Sequence, residues 1–430
     1  MSARYDVVVI GGGFAGIAAA REAGSLGRSV LLVEALDRLG GRTWTTNALG
    51  TRIEMGGTDI HWLQPNVWAE AARYGLEIEE FAPPAQLLYL DAGDVKEGTE
   101  DEVFGLMDAG MNALAAAARE AYPRPQDPTF AAAAMDYDKL SLGEFLANVE
   151  MTEQERAMTS SFWAAACQAP LEEAGLSIAL RWLALAGWDW QLMLDVISRY
   201  KINGGMSRLS AGMASDIRGE IRTGVRATAV VERDDHVEVT LDDGSAALAD
   251  AVVVAVPVNV LSNIKFEPAR AEFDHIAREG SISRGLKVIC RIRGDRTPYM
   301  AFAPEGHPFV LVQYDRPFDG DHIAVAFGPD AAALDGTSPE EVQKALRSWM
   351  PDVEVLDVAH HDWTTDEMFL GTWAVPGPGQ LRAQLDALNA RGGRVVLAGA
   401  DLANGSYALI DGAINTGIRA GRDAALLAGK

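Results

Sequence analysis

The sequence predicts an α/β protein (α+β overall), with a Rossmann-like dinucleotide-binding domain that carries an inserted helical and antiparallel-sheet domain. Three observations point there. Residues 7 to 42 run strand, glycine turn, helix, strand and acid in that order. A long helical stretch follows, and strand-rich sequence resumes after Asn203-Gly204-Gly205. A short buried strand, Arg394 to Asp401, and a terminal helix from about Ile410 close the chain.

The first element is the apolar β-branched run Val7 to Ile10, which leads into Gly11-x-Gly13-x-x-Gly16. Gly11 allows the tight turn, Gly13 lets backbone approach a pyrophosphate, and Gly16 lets helix and strand pack closely. The helix begins with Phe14 and Ala15 and presents free N–H groups and its positive dipole end to phosphates. The second strand, Val30 to Val33, ends on Glu34 and Ala35. Glu34 is placed to accept hydrogen bonds from ribose hydroxyls, and an acid there repels a 2′-phosphate, so FAD or NAD is predicted over NADP. Leu39-Gly40-Gly41-Arg42 and Met55-Gly56-Gly57 decide for FAD. Arg42 supplies a cation to the pyrophosphate, and Gly56-Gly57 reads as backbone passing close to the flavin ring.

Downstream, residues 104 to 121 read as one helix, ended by the breaker at 122 to 128. Helical patterns resume near Ser141 and run through the tryptophan-rich segment Arg181 to Leu194. Strands are predicted at 224–232, 236–241 and 251–256, then at 287–293, 309–314 and 322–327, with a helix from Ser338 to Met350. The expected division is an FAD-binding domain from 1–75, 204–286 and 385–430, and a substrate-binding domain from 76–203 and 287–384.

Composition narrows the partners. The 430 residues are 48% hydrophobic and 23% charged, as in an ordinary globular protein of two domains. A net charge of −24 speaks against nucleic acid or an anionic membrane surface. The two cysteines, Cys167 and Cys290, have no CxxC partner and fit a reducing compartment. The first strand begins too close to Met1 for a signal peptide, and no apolar run is long enough to span a bilayer. A cytoplasmic location is therefore expected. The seven histidines show no HExxH-like spacing and there is no GxSxG elbow, so neither a metal site nor acyl transfer is predicted.

These motifs together resemble the flavin-containing amine oxidase family, which includes the monoamine, polyamine and L-amino-acid oxidases. The match runs over nearly the whole chain. It takes in the glycine turn with Glu34 and Arg42, Met55-Gly56-Gly57, Asn203 to Met206, Val252 to Pro257, Lys287, Trp363, and Gly399-Ala400-Asp401 through Asp411-Gly412-Ala413. Gly285 to Ile289, Val353 to Leu356 and His361 to Pro376 look most like bacterial 6-hydroxy-L-nicotine oxidase.

The resemblance implies a function and a set of roles. A small amine, cyclic or alkaloid-like, is oxidised to an imine by hydride transfer to FAD, and dioxygen is reduced to hydrogen peroxide. No strong side-chain base is called for. Lys287, out of pattern on an apolar strand, would hold a water near flavin N5. Asp401 would hydrogen-bond the ribitol or pyrophosphate. Val225 matches a position whose backbone pairs with adenine, and Trp363 belongs to the cofactor-binding set. The start of the last helix, around Ala413 and Ile414, would face the flavin pyrimidine oxygens. Trp373 matches one of the two aromatic walls that flank the amine. The other wall, usually Tyr, aligns with Leu409, with Tyr407 two residues away as a substitute. Tyr314, and the tryptophans Trp182, Trp188 and Trp190, are candidate pocket linings, while a polar side chain expected near Ala166 is missing. Covalent relatives carry Cys where this chain has Thr372, so FAD is expected to bind non-covalently. A homodimer is the family-level expectation. The alternatives are an amine dehydrogenase or desaturase with a carrier acceptor, an L-amino-acid oxidase using Arg181, Arg199 or Arg284 for the carboxylate, and a non-catalytic FAD-binding module.

Overall fold

The computed structural model describes residues 3–390 and 393–429. The domain ends expected at residues 1 and 430 lie outside them. Two large sheets organise the chain. The first has eight strands, with Ala3–Ile10 hydrogen-bonded in parallel between Val30–Val33 and Ala246–Val254. Val395–Leu397 joins Ala246–Val254 in parallel. The register pairs Ile10 with both Val33 and Val254, and Val254 with Leu397, so four carboxyl ends finish level. Ligands of open α/β sheets bind at that edge.

The uninterrupted Val7-Val8-Val9-Ile10 run is the signature of a strand buried on both faces. Alternation sends Val7 and Val9 against helices Phe14–Ser25 and Ile410–Leu427. Val8 and Ile10 point the other way, toward Phe273, Ile276 and Leu388. Gly417 and Gly421 let the last helix lie directly on the backbone of the first.

The second sheet has seven strands, in the order Val355–His360, Leu286–Ile292, Asp321–Gly328, Leu311–Phe318, Tyr299–Phe302, Gln86–Asp91, Asp94–Gly98. One face packs on helix Pro339–Leu346 through Leu286, Val288, Cys290 and Ala324. The other face looks into a large cavity roofed by helices Glu153–Cys167, Ser177–Leu185 and Trp190–Ser198.

Several elements differ from expectation. The single helix expected over 104–121 is two, Glu100–Gly105 and Asp108–Ala121. A capping box, in which Thr99 and Glu102 bond each other's backbone N–H, starts the first of them early. The strand expected at 309–314 is shifted to Leu311–Phe318, and the helix expected to reach Met350 ends at Leu346. The hairpin of Gln86–Asp91 and Asp94–Gly98 was not anticipated at all. The boundary expected after residue 384 cuts through helix Leu381–Leu388, which buries Ala383 and Leu388 against the first sheet.

Candidate functional site

A groove of about 1470 Å³, counting its open mouth, begins at the level ends of the parallel strands. Gly11 turns the chain there with φ +101, and a Cβ on it would strike the Ala255 backbone. Gly16 lies outside the groove, but a Cβ on it would collide with the Gly11 carbonyl, so it keeps helix and turn in contact as expected of it. Gly13 caps the helix and faces Gly41 (φ +60), while Phe14 and Ala15 line the groove beside them. Glu34 and Ala35 line it too. The Glu34 carboxylate accepts one backbone N–H at each oxygen, from Gly12 at Oε2 and from Leu36 at Oε1, and each oxygen keeps a further lone pair for a ligand in the groove. Its burial raises its pKa, and those backbone donors counteract the rise. Val225 borders the groove, with its N–H donated to the Glu34 carbonyl at 2.9 Å, so that N–H is not free for the base pairing expected of this position.

Arg42 projects into the groove and is held by the Asp401 carboxylate and, at 3.3 Å, by the Thr372 carbonyl. Asp401 itself does not line the groove. One carboxylate oxygen holds Arg42 and the other accepts the Val258 N–H at 3.0 Å, so it acts through the arginine. Gly56 and Gly57 reach the inner end. Gly57 donates to the Arg42 carbonyl at 3.0 Å, and a Cβ on Gly56 would overlap that same oxygen. Trp363 is fixed there by a 3.3 Å bond from its indole N–H to the Met55 carbonyl.

The groove fits FAD. Its phosphate end offers a helix N-terminus and a guanidinium, and its ribose end offers a carboxylate with free lone pairs. The Thr372 hydroxyl, buried at the lining, has no hydrogen-bond partner among the described residues. Threonine cannot form the thioether that a cysteine would.

At its inner end the groove meets the second cavity, of about 2180 Å³ with its opening. Gly56, Gly57, Lys287, Trp373, Ala408, Leu409 and Ile410 border both. Lys287 sits on the cavity side of its strand and donates to the carbonyls of Glu54 (2.9 Å) and Gly56 (2.7 Å), with Thr58 Oγ1 at 3.5 Å. Burial lowers its pKa, and the charges of Asp59, Glu54 and Asp315 pull it back. Trp373 is anchored by its indole N–H on the Ala166 carbonyl at 2.9 Å.

Besides Asp401, which was expected to hydrogen-bond the cofactor itself, three expected positions require correction. Tyr314 faces the opposite side of its strand, where it stacks on His322 and donates to Asp295 at 3.1 Å. Its neighbours Gln313 and Asp315 line the cavity instead, because side chains alternate along a strand. Tyr407 does not stand in for Leu409. Its ring is covered by the Arg181 guanidinium and its hydroxyl is bonded to Gln384 at 2.9 Å. The loop then turns through Ala408 at φ +66, which brings Leu409 to the wall. Ile414 is packed into the core, since the last helix begins at Ile410. Ala413 lines the groove, but its N–H is bonded to the Leu409 carbonyl, so the unbonded helical N–H groups are those of residues 410–412.

Of the three tryptophans only Trp182 lines the cavity, where Phe162 and Ala166 join it; Trp188 and Trp190 pack elsewhere. Arg181, Arg199 and Arg284 lie off both cavities, engaged with the 403–404 carbonyls, Asp195 and Glu173 respectively. Sequence reasoning missed the charged wall formed by Glu54, Asp59, Lys201 and Asp315. Asp59 follows Gly56-Gly57 by two residues, a proximity that could have drawn attention to it. Among the described residues no group of His, Cys, Asp and Glu is arranged to hold a metal, and no helix is long and apolar enough to cross a membrane.

A dinucleotide groove that opens at its flavin end onto an aromatic-walled cavity, with a lysine between, defines an FAD-dependent amine oxidoreductase. The chain belongs to the flavin containing amine oxidoreductase family, whose model matches residues 14–425. It is 37% identical to the pseudooxynicotine dehydrogenase of a Pseudomonas species, across 97% of this chain and 85% of that protein. It is 29% identical to the (S)-6-hydroxynicotine oxidase of Paenarthrobacter nicotinovorans, across 96% and 97%. Nicotine dehydrogenase of Pseudomonas putida is 36% identical, across 97% and 88%. The fold is similar to that of putrescine oxidase bound to putrescine, with a TM-score of 0.86 at 23% identity over 98% of both chains. Cyclohexylamine oxidase from Brevibacterium oxydans superimposes with a TM-score of 0.86 at 22% identity, covering 99% and 100%.

Proposed function

We propose that this enzyme oxidises the C–N bond of a small cyclic or alkaloid-like amine, of the hydroxynicotine type, to an imine, with dioxygen as acceptor and hydrogen peroxide as product. The observation that carries the reading is the junction at Lys287, Gly56-Gly57, Trp373 and Leu409, where an amine in the second cavity meets a ring in the first. The nicotine-related names of three relatives support the substrate class.

When bound, non-covalently in this reading, FAD supplies the hydride acceptor. The protein supplies the rest. The glycine turn and Arg42 bind the pyrophosphate, and Glu34 binds the ribose. Trp373 and Leu409 confine the amine so that its α-carbon faces the junction, and the apolar lining of Phe162 and Trp182 from the roof and Leu311 from the sheet excludes water. Lys287 fixes the Gly56 backbone and keeps positive potential beside the reacting centre. Two buried free cysteines are consistent with work in the cytoplasm, and a homodimer is part of the same reading.

A second reading is favoured by the names of the two Pseudomonas relatives, both dehydrogenases: electrons pass to a carrier rather than to dioxygen. A panel of hydroxynicotine-like, cyclic and aliphatic amines, assayed for peroxide in air, separates them. One peroxide per amine consumed supports the oxidase. Amine-driven flavin bleaching with no peroxide, relieved by an added carrier, supports the dehydrogenase.

A further inference from the structure

The cavity wall beside the junction carries a carboxylate that the family-level chemistry leaves without a task. Asp59 lies two residues beyond Gly57 and borders the substrate cavity but not the cofactor groove. Among the described residues no side chain pairs with it or donates to it. The charged groups facing it are Lys287 from strand Leu286–Ile292, Lys201 from Tyr200–Ile202, and Asp315 from Leu311–Phe318. Glu54, from Thr51–Glu54, shares the same wall. Both cations are already engaged. Lys287 is bound to two carbonyls, and Lys201 is paired with Asp315 at 2.7 Å. A carboxylate drawn out of water without a cation is costly, so the arrangement is complete only when a cation arrives from the cavity.

An alkylamine reaches the enzyme as an ammonium, whose nitrogen has no lone pair to assist loss of hydride from the α-carbon. We propose that Asp59 is the catalytic base that takes the proton from the ammonium of the bound substrate before C–H cleavage. An N–H bond breaks, an O–H bond forms on the carboxylate, and the ammonium–carboxylate pair becomes a neutral amine and a neutral acid. The oxidation then leaves the proton on Asp59, from which it passes to water at the cavity mouth. Burial suits the group to this step, because desolvation raises its pKa to about 6, against the opposing pull of Lys287 and Lys201. The same withdrawal from water disfavours the ammonium, so the two affinities for the proton converge inside the cavity.

The test uses the FAD-loaded enzyme and Asp59→Asn, with Asp59→Glu as the conservative control. In anaerobic stopped flow, Asp59→Asn should reduce its flavin on the order of 10²-fold less efficiently near pH 7. The deficit should shrink steadily as pH rises toward the amine's own pKa, where neutral amine arrives ready-made, and Asp59→Glu should recover part of the loss. Calorimetric binding of benzyltrimethylammonium, which cannot react, gives a readout independent of turnover. Its affinity for the wild type should rise with pH as Asp59 ionises and should fall at least about tenfold in Asp59→Asn, with benzyl alcohol unaffected. A deficit that is absent or the same at every pH, or an unchanged cation affinity, overturns the assignment. The inference rests on the amine-oxidising reading. A wild-type flavin that no amine bleaches overturns that reading itself, whereas a bleached wild type matched by Asp59→Asn overturns only the role of Asp59.

Discussion

Replacing Lys287 with methionine separates the two things its ammonium does. Methionine fills nearly the same volume, so packing on the strand is retained. What is lost is a charge at the junction and the donor shared by the Glu54 and Gly56 carbonyls, at 2.9 and 2.7 Å. Leaving those carbonyls unpaired costs about 1–3 kcal/mol of stability, and urea unfolding of the holoenzyme should register it. Removing a preorganised positive group from beside developing negative charge costs roughly 2.7–4 kcal/mol, or about 10² to 10³ in rate. That charge appears when the acceptor takes electrons, so stopped-flow reoxidation by dioxygen should slow by about 10²-fold, while anaerobic reduction by amine stays within about fivefold. Equal rates for variant and wild type in both half-reactions would refute the reasoning.

Other positions give sharper contrasts. Tyr407→Phe removes only the hydroxyl bonded to Gln384, so it should lower stability by about 1 kcal/mol and leave kcat and KM within about twofold; a tenfold rise in KM would put Tyr407 back in the wall. Arg42→Ala removes the groove's guanidinium and strands the buried Asp401 carboxylate, so FAD retention on gel filtration should fall at least about tenfold, and full retention would contradict the groove assignment. Gly56→Ala drives a Cβ into the Arg42 carbonyl and should yield protein that cannot hold FAD, measured by flavin content. The pKa of Asp59 is raised above its unfolded value, so the folded apoprotein holds a proton that the unfolded chain releases between about pH 4 and 6. Stability therefore falls as pH rises through that window, and the penalty persists above it. Asp59→Asn should raise apoprotein stability by about 1–2 kcal/mol near pH 7.5 and leave it unchanged near pH 4; a loss at neutral pH would contradict the unpaired carboxylate.

The nucleotide groove was legible because its chemistry is local. Gly11, Glu34 and Arg42 lie close along the chain, and each needs a residue type that few alternatives satisfy. Lys287 was legible because an ammonium on an apolar strand is out of pattern. The cavity was less so. Which face of Leu311–Phe318 looks inward depends on strand register, and choosing Tyr314 over Gln313 and Asp315 is an error of one residue that moves a side chain to the other face. Tyr407 and Leu409 differ by a turn through left-handed Ser406 and Ala408, which no pattern in non-glycine residues announces. The charged wall assembles Glu54, Asp59, Lys201 and Asp315 from three distant segments, so only the folded chain brings them together.

The most direct test of the account is an anaerobic titration of the FAD-loaded enzyme with hydroxynicotine-like and other cyclic amines. The account predicts that at least one of them bleaches the flavin absorbance completely and in a saturable way, with one imine formed per flavin. A flavin that stays bound and fully oxidised in the presence of every amine would contradict it.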